Sequence, residues 1–277
     1  MNQLFFSGLI VLGSFLGGML GSLTGLGGGV VIVPMLALAF DVNLRYAIGA
    51  SLISVIATSS GSAAAYVREG FSNMRIGMFL EMATTAGAIF GAWLATRVPT
   101  AGIAIVFGCV LLYSVYLSLR KRRDIAVPHD PWSDRLKMTS AFPTGPGEER
   151  RYSVTHIQAG FATMFGAGTL SGLLGIGSGA VKVLAMDSIM RIPFKVSTTT
   201  SNFMIGVTAA ASAGIYLRKG YIVPALAAPV LLGILPGSLL GAKLLLKVQS
   251  RSLRVLFALV ILALAVEMIY NGWTGRI

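Results

Sequence analysis

The chain has 277 residues, of which 55% are hydrophobic and 12% are charged, and its mean hydropathy is +0.79. A water-soluble globular domain of this size does not normally have such a composition, so we predict an integral membrane protein. Long, continuous apolar segments favour membrane helices over the alternating strands of an outer-membrane barrel. The net charge is +12. The Lys and Arg residues that produce it lie mostly between the apolar segments, as in cytoplasmic membrane loops, so we do not predict nucleic-acid binding.

Apolar segments occupy most of the chain and indicate an all-α fold with about eight to ten membrane helical segments. Most are long enough to cross about 30 Å of hydrocarbon. Segments 30–40 and 181–190 are too short to do so comfortably, so we predict broken or re-entrant helices there. The segments are 4–23, 30–40, 47–67, 76–96, 103–119, 157–174, 181–190, 196–217, 222–246 and 253–270.

A polar and basic stretch separates these segments into two groups. It runs from residue 120 to residue 151, begins with Arg120-Lys121-Arg122-Arg123 and ends with Arg150-Arg151. Low hydropathy and clustered positive charge are typical of cytoplasmic loops, so we expect a mobile cytoplasmic linker. The single cysteine, Cys109, has no partner for an internal disulfide, and redox chemistry is not predicted.

The two groups of segments repeat each other. Adding 150 to a first-half residue number gives its second-half counterpart without a gap from residue 18 to residue 98, so that Ser51, for example, pairs with Ser201. A repeat of this length indicates two structural units of one design. The predicted domains are a membrane repeat at 1–119, the basic linker at 120–152 and a second membrane repeat at 153–277.

The distribution of Lys and Arg indicates how the repeats are oriented. If each repeat crosses the membrane an odd number of times, sixteen of these residues lie on the linker side and five on the other, with Lys182 inside the membrane. If each repeat crosses the membrane an even number of times, thirteen of these residues lie on the linker side and eight on the other. Because positive charge accumulates in cytoplasmic loops, the larger imbalance is favoured. We therefore predict inverted-topology repeats in the cytoplasmic membrane, with the linker in the cytoplasm and the N-terminus outside.

Glycine-rich motifs mark the point where each repeat is expected to break a helix. Gly25-Leu26-Gly27-Gly28-Gly29 in the first repeat corresponds to Gly175-Ile176-Gly177-Ser178-Gly179 in the second. Alternating glycines lower helix propensity and leave backbone N–H and C=O groups uncovered. Inverted repeats with broken helices are common in secondary transporters, where the breaks face a substrate near the midplane.

The ligand expected at such breaks is an anion, because a helix N-terminus presents free N–H groups and a positive dipole end. The alternative is that the glycines only allow close helix packing. The motif positions predicted to bind the anion are Gly27, Gly28, Gly29, Gly177, Ser178 and Gly179.

Lys182 is the one basic residue well inside a predicted membrane segment, and its counterpart Ile32 is apolar. An ionisable group at this depth is costly and is a candidate for function. Its ammonium would add a point charge for an anion. The alternatives are an ion pair with Asp187 or Glu81, or a side chain that extends to the interface.

Small polar side chains follow each glycine motif and could replace the hydration shell of an oxyanion. We favour a substrate-binding role for Ser51, Ser201 and Asn202. Interhelical hydrogen bonding is the alternative for all of them and is favoured for Ser59 and Ser212.

Glu81 and Glu267 are interpreted as buried acids, and neither has an acidic counterpart in the other repeat. Glu81 is a candidate for proton coupling, and its alternative is an ion pair with a neighbouring Lys or Arg. His129 and His156 fall in the linker and at a helix start, so an intramembrane enzyme is not predicted, nor is a metal or a cofactor. A passive channel remains open as an alternative, because pores and carriers use the same lining groups.

The first glycine motif with Pro34, followed by Gly49-Ala50-Ser51 and the counterpart Thr200-Ser201-Asn202, resembles the TauE/SafE family of sulfite exporters and related anion permeases. The resemblance covers essentially the whole chain outside the linker. It departs at Ser178, where a third glycine is usual, and at Leu184, where proline is common.

That resemblance implies a secondary transporter that exports sulfite, an organosulfonate or a similar sulfur-containing anion across the cytoplasmic membrane. We expect the protein to lie in the lipid bilayer and to work by alternating access around an anion held between the two glycine breaks. A small carboxylate or another oxyanion is the alternative substrate.

Overall fold

The computed structural model describes residues 3–24, 27–68, 72–119, 138, 140–145, 148–247 and 251–276, which form ten helices and one β-hairpin. Three of the described helices are apolar and long enough to cross a membrane, in agreement with the predicted all-α membrane fold. The helices are α1 (Gln3–Thr24), α2 (Gly29–Pro34), α3 (Leu44–Arg68), α4 (Met74–Ala95), α5 (Thr100–Leu119), α6 (Ile157–Leu174), α7 (Gly179–Leu184), α8 (Phe194–Arg218), α9 (Pro224–Lys247) and α10 (Arg251–Thr274).

The two halves share their element boundaries. Helices α2, α3 and α4 begin 150 residues before α7, α8 and α9. A π-helical turn follows each short helix, Met35–Ala39 after α2 and Ala185–Ile189 after α7. Pro34 precedes the first turn, whereas Leu184 precedes the second. Since the same turn forms without the proline, the substitution at Leu184 leaves the local fold unchanged.

Each short helix returns along the helix before it. Gly21 of α1 lies against Gly28, and Gly13, two turns earlier in α1, lies against Met35. The rings of Phe6 and Phe40 are 5.2 Å apart, so the returning segment ends beside the start of α1. Gly27, Gly28 and Gly29 therefore lie at the tip of a helical hairpin, and its re-entry into the membrane stays a prediction.

The second glycine motif forms a matching hairpin. Gly160, near the start of α6, lies against Met190, which follows the second π-helical turn. The backbone N–H of Thr155 donates to the Met190 carbonyl at 3.1 Å. At the tip, α6 ends at Gly175, whose φ of +68° is a left-handed conformation common after helices and favourable for glycine.

Helices α3 and α8, which are counterparts in the two halves, pack against each other in opposite directions. The Tyr46 ring near the start of α3 is 5.7 Å from the Tyr221 ring, which follows the end of α8. Beyond the other end of α3, the Asn73 N–H donates to Thr200 Oγ1 near the start of α8 at 3.0 Å. Thus the two long helices that carry most of the small hydroxyls form the centre of the bundle.

Three further helix pairs pack along each other: α1 with α9, α4 with α6, and α5 with α10. Gly87 and Gly91 of α4 lie directly against backbone carbonyls of α6, those of Phe165 and Thr169. A side chain at either glycine would separate the two backbones. Dispersion forces act only at short range, and the small residues let the two helices come close enough for them.

A β-hairpin of strands β1 (Ser140–Gly145) and β2 (Glu148–Tyr152) lies within the predicted linker. Tyr152 is buried, and its hydroxyl accepts a hydrogen bond from Asn73 Nδ2 at 2.7 Å. Burial raises the pKa of the Tyr152 phenol, which therefore stays neutral near pH 7. The linker is thus partly structured, whereas its basic start at 120–137 lies outside the described residues.

Candidate functional site

The tips of the two helical hairpins contact each other. Gly27, with a φ of +81°, faces the carbonyl of Ile176 in the opposite tip. A Cβ at Gly29 would lie 2.8 Å from the carbonyl oxygen of Gly175, so only glycine fits there without a shift. The glycines therefore allow the two tips to pack closely, and their role toward an anion stays a prediction.

Hydroxyls of the central helices bind the hairpin tips. Ser51 Oγ of α3 donates to the carbonyl of Gly175 at 2.7 Å. Ser201 Oγ of α8 donates to the carbonyl of Gly179 at 3.4 Å. Both hydroxyl protons are thus used by backbone carbonyls, while the lone pairs of each oxygen stay available as acceptors. In this conformation Ser51 and Ser201 position the tips.

Two of the predicted site residues carry unpaired polar atoms. Ser178 Oγ and Asn202 Nδ2 are buried and have no hydrogen-bond partner among the residues that the structure describes. The side chains belong to residues that are only 3% and 4% exposed. Leaving a buried donor unpaired costs about 1–3 kcal/mol, so both atoms favour a bound ligand or water.

Ser178 lines a small cleft at the junction of the hairpins. The cleft has room for about one water molecule and is mostly apolar. It contains a second hydroxyl, Ser114 of α5, that sequence analysis did not single out. Its remaining lining residues come from both hairpins and from α5: Val30, Val110, Ile176, Gly179 and Val181.

Lys182 lies one turn beyond the second tip and is fully buried. Its ammonium donates to Thr208 Oγ1 of α8 at 2.5 Å, and Thr208 donates in turn to Glu81 Oε1 of α4 at 2.6 Å. The ammonium is 3.9 Å from Glu81 Oε2. Of the alternatives for Lys182, the structure therefore contains the ion pair with Glu81, and its role toward an anion stays a prediction.

The charged residues of the site do not follow the repeat. The counterparts of Lys182, Thr208 and Glu81 in the other repeat are Ile32, Thr58 and Leu231. Ile32 is fully buried among apolar side chains. Of the two hairpins, the second therefore offers the cation. The tips also differ in backbone conformation, since Gly28 has a φ of −64° and its counterpart Ser178 a φ of +46°.

The two acids that sequence analysis interpreted as buried differ in the structure. Glu81 is 7% exposed and lies in the site, where Thr85 Oγ1 also donates to its Oε1 at 3.2 Å. Glu267 has an exposed side chain on α10, so its interpretation as a buried acid was wrong. Apolar neighbours in sequence do not reveal which face of a helix meets lipid.

Sequence analysis missed a cluster at one end of the α3–α8 pair. Arg45 donates to the Tyr221 hydroxyl at 3.4 Å and to the Val98 carbonyl at 3.2 Å. The Tyr221 ring also contacts Tyr46 and Tyr216. We call these residues the Arg45 cluster. The sequence does contain a signal for it: Arg45 and Tyr46 lie at the start of α3, and Tyr216 and Tyr221 lie at the end of its counterpart α8.

Comparisons with known proteins agree with this architecture. Residues 10–268 match the family described as Sulfite exporter TauE/SafE. The chain is 31% identical over 273 residues to the Probable membrane transporter protein YunE of Bacillus subtilis, covering 95% of this chain and 97% of that protein. It is 27% identical over 243 residues to YdhB of the same organism, also named a Probable membrane transporter protein, covering 85% and 89%.

A more distant relative comes from an archaeon. The Probable membrane transporter protein MJ0441 of Methanocaldococcus jannaschii is 25% identical over 265 residues, covering 90% of each chain. No solved structure matches the chain. A family match over nearly the whole length, together with relatives of the same length, shows that the chain belongs to the TauE/SafE sulfite exporter family of membrane transport proteins.

Proposed function

We propose that this chain is a secondary transporter that moves a small sulfur-containing anion, sulfite or an organosulfonate, out of the cell by alternating access. The observation that carries the proposal is the buried Lys182 beside two hairpin tips that meet inside the bundle. A cation at membrane depth needs an anionic partner or a function. The family name supplies sulfite and export.

The halves 1–119 and 153–277 act in this proposal as inverted repeats in the cytoplasmic membrane. The opposite directions of α3 and α8 support it, since counterparts in parallel repeats would point the same way. Arg45 contacts Val98 at one end of the bundle, and Asn73 contacts Tyr152 at the other. With the basic linker 120–152 in the cytoplasm, the N-terminus lies outside.

The proposed anion site combines backbone and side-chain donors at the two tips. The first N–H groups of a helix lack intrahelical partners, and each short helix continues into its π-helical turn. Lys182 supplies the charge, and the unpaired Ser178 hydroxyl and Asn202 amide supply hydrogen bonds. The other members of the proposed site are Gly27, Gly28, Gly29, Ser51, Gly177, Gly179 and Ser201.

The test is anion flux into liposomes that contain the purified protein, with gradients of sulfite and of isethionate, a monovalent organosulfonate. Removing the charge of Lys182 with Lys182→Ala should lower flux at least about tenfold, because the anion loses its positively charged partner and a tenfold loss of affinity corresponds to only about 1.4 kcal/mol. Lys219→Ala is the matched control, since Lys219 is exposed beyond α8. Its flux should equal that of the unmodified protein.

A second variant separates loss of the site from loss of the fold. The double substitution Lys182→Ala/Glu81→Ala removes both charges and leaves no uncompensated one in the bundle. It should unfold near the temperature of the unmodified protein and still fail to transport. Flux at the unmodified rate in either variant would contradict a role for Lys182 in transport.

A carrier and a channel differ in how flux depends on concentration. An alternating-access carrier saturates, and anion on the far side accelerates it because loaded sites return faster than empty ones. Flux that rises linearly with anion concentration and shows no such acceleration would instead favour the passive channel.

A further inference from the structure

Glu81 and Lys182 form a buried pair with incomplete hydrogen bonding. Glu81 Oε2 is buried and has no hydrogen-bond partner among the described residues. An ammonium has three N–H donors, and the acceptor that the described structure gives for Lys182 is Thr208 Oγ1. A free acceptor therefore faces free donors across 3.9 Å, a distance too long for a hydrogen bond.

An anion that binds Lys182 has to compete with the Glu81 carboxylate. If Glu81 stayed ionised, the loaded site would hold one positive and two negative charges inside the membrane. An uncompensated buried charge costs several kcal/mol. A proton on Glu81 removes this cost, because protonated Glu81, Lys182 and a monovalent anion together are neutral. The empty ion pair is neutral as well.

We propose, given the anion transport proposed above, that Glu81 is the proton-binding group of an electroneutral symport in which one proton and one monovalent anion bind and leave together. The proton comes from water on the side where the anion enters and forms an O–H bond at Glu81 Oε2. The anion then takes the place of the carboxylate at Lys182. On the other side both leave, and Glu81 pairs with Lys182 again.

Thr208 allows this exchange because its hydroxyl lies between the two charged groups. It accepts from Lys182 and donates to Glu81 Oε1, so each group keeps one partner while the other changes. The proton binds at Oε2, the oxygen without a hydrogen bond. Both neutral states can cross the low-dielectric interior without moving net charge.

Few other titratable groups face Glu81. Helix α4 packs against α6 and α8, and α6 has no charged residue between 157 and 174. The other titratable or charged residues on α4, α6, α7, α8 and their flanks are Arg75, Arg97, His156, Asp187, Arg191, Lys195, Tyr216, Arg218, Lys219 and Tyr221. Among the described residues, Lys182 is the one that the structure places within ion-pair distance of Glu81.

The experiment measures proton and charge movement with the anion. Liposomes that contain the unmodified protein and a pH-sensitive dye receive an inward gradient of isethionate, whose charge is fixed near pH 7. The lumen should acidify by one proton for each anion that enters. A potassium diffusion potential imposed with valinomycin should leave the flux of isethionate and of bisulfite unchanged.

Glu81→Gln tests the residue itself, because glutamine keeps the size of the side chain but carries no titratable proton. The proton signal for each anion should fall at least about tenfold, since a buried glutamine does not ionise. The remaining anion flux should follow the imposed potential, because the empty site now carries the charge of Lys182. Glu267→Gln, the same change at an exposed position on α10, should behave as the unmodified protein.

The outcomes separate this inference from the function on which it rests. If neither anion moves through the unmodified protein, the proposed transport is wrong and the symport with it. If either anion moves but follows the potential, or isethionate moves without protons, the symport is wrong and transport stands. A proton signal of unmodified size in Glu81→Gln would remove Glu81 as the proton carrier.

Discussion

At the scale of single residues, the site depends on a hydroxyl that connects two charges. Thr208 accepts from Lys182, and its one hydroxyl proton has two acceptors in reach, Glu81 Oε1 at 2.6 Å and the Met204 carbonyl of its own helix at 2.9 Å. Its counterpart Thr58 in the first repeat donates to the Ser54 carbonyl of its own helix. Thr208→Val keeps the shape but leaves two buried charged groups with fewer partners. It should cost about 1–3 kcal/mol of stability, measured as a lower melting temperature of the purified protein.

The serine substitution at the same position separates the hydroxyl from the methyl group. Thr208→Ser keeps the hydroxyl and should restore most of the lost stability and the anion flux. Thr58→Val is the matched control in the other repeat, where the hydroxyl donates to the Ser54 carbonyl, and its loss should be smaller. Equal losses for Thr58→Val and Thr208→Val would contradict a special role for the bridge.

The sequence contains a signal for this pair but does not identify it. Lys182 and Glu81 are charged where their counterparts Ile32 and Leu231 are apolar, so both break the repeat. Sequence analysis could therefore propose an ion pair with either Glu81 or Asp187. It could not choose between them, because the contact joins helices from different repeats and depends on how these pack.

At the scale of elements, the glycines of the two tips differ in how closely they are packed. Gly177 has a φ of +71°, and a Cβ there would lie 2.5 Å from Ile205 Cγ2. Gly27 has a φ of +81°, but its nearest neighbour would be 3.6 Å away. Gly27→Ala should therefore cost about 1–2 kcal/mol from backbone strain alone, and Gly177→Ala should cost more.

Melting temperatures of the purified variants test this order. Gly8→Ala is the control, because Gly8 lies within α1 with nothing near its missing Cβ, and alanine favours the helix by up to about 1 kcal/mol. It should be as stable as the unmodified protein or more so. If Gly27→Ala were the more damaging tip variant, the described packing of the tips would be wrong.

Most elements could be predicted because membrane helices follow continuous hydropathy. All ten predicted segments correspond to helices, and the two short ones fold back along the helices before them. The β-hairpin in the linker was missed, since Pro143, Gly145 and charged residues obscure any alternating pattern. Its strands are stabilised by distant contacts, such as the one between Tyr152 and Asn73, which local sequence does not contain.

At the scale of the whole molecule, contacts close the bundle at both ends. The Arg45 cluster joins the start of α3 to the end of α8. At the opposite end, Asn73 bonds to Thr200 of α8 and to Tyr152 of the β-hairpin. With the hairpin tips in contact between these ends, the structure corresponds to a closed state of the proposed carrier. Transport then requires each end to open in turn.

Cross-linking the Arg45 cluster tests that requirement. With Cys109→Ser as background, Tyr46→Cys and Tyr221→Cys place two thiols where the native rings are 5.7 Å apart. A short methanethiosulfonate cross-linker should stop anion exchange, because α3 and α8 then stay together at this end, and a reductant should restore it.

Each single-cysteine variant treated in the same way should keep its exchange rate. Undiminished exchange after complete cross-linking would show that this end does not open, which would contradict alternating access between the two repeats.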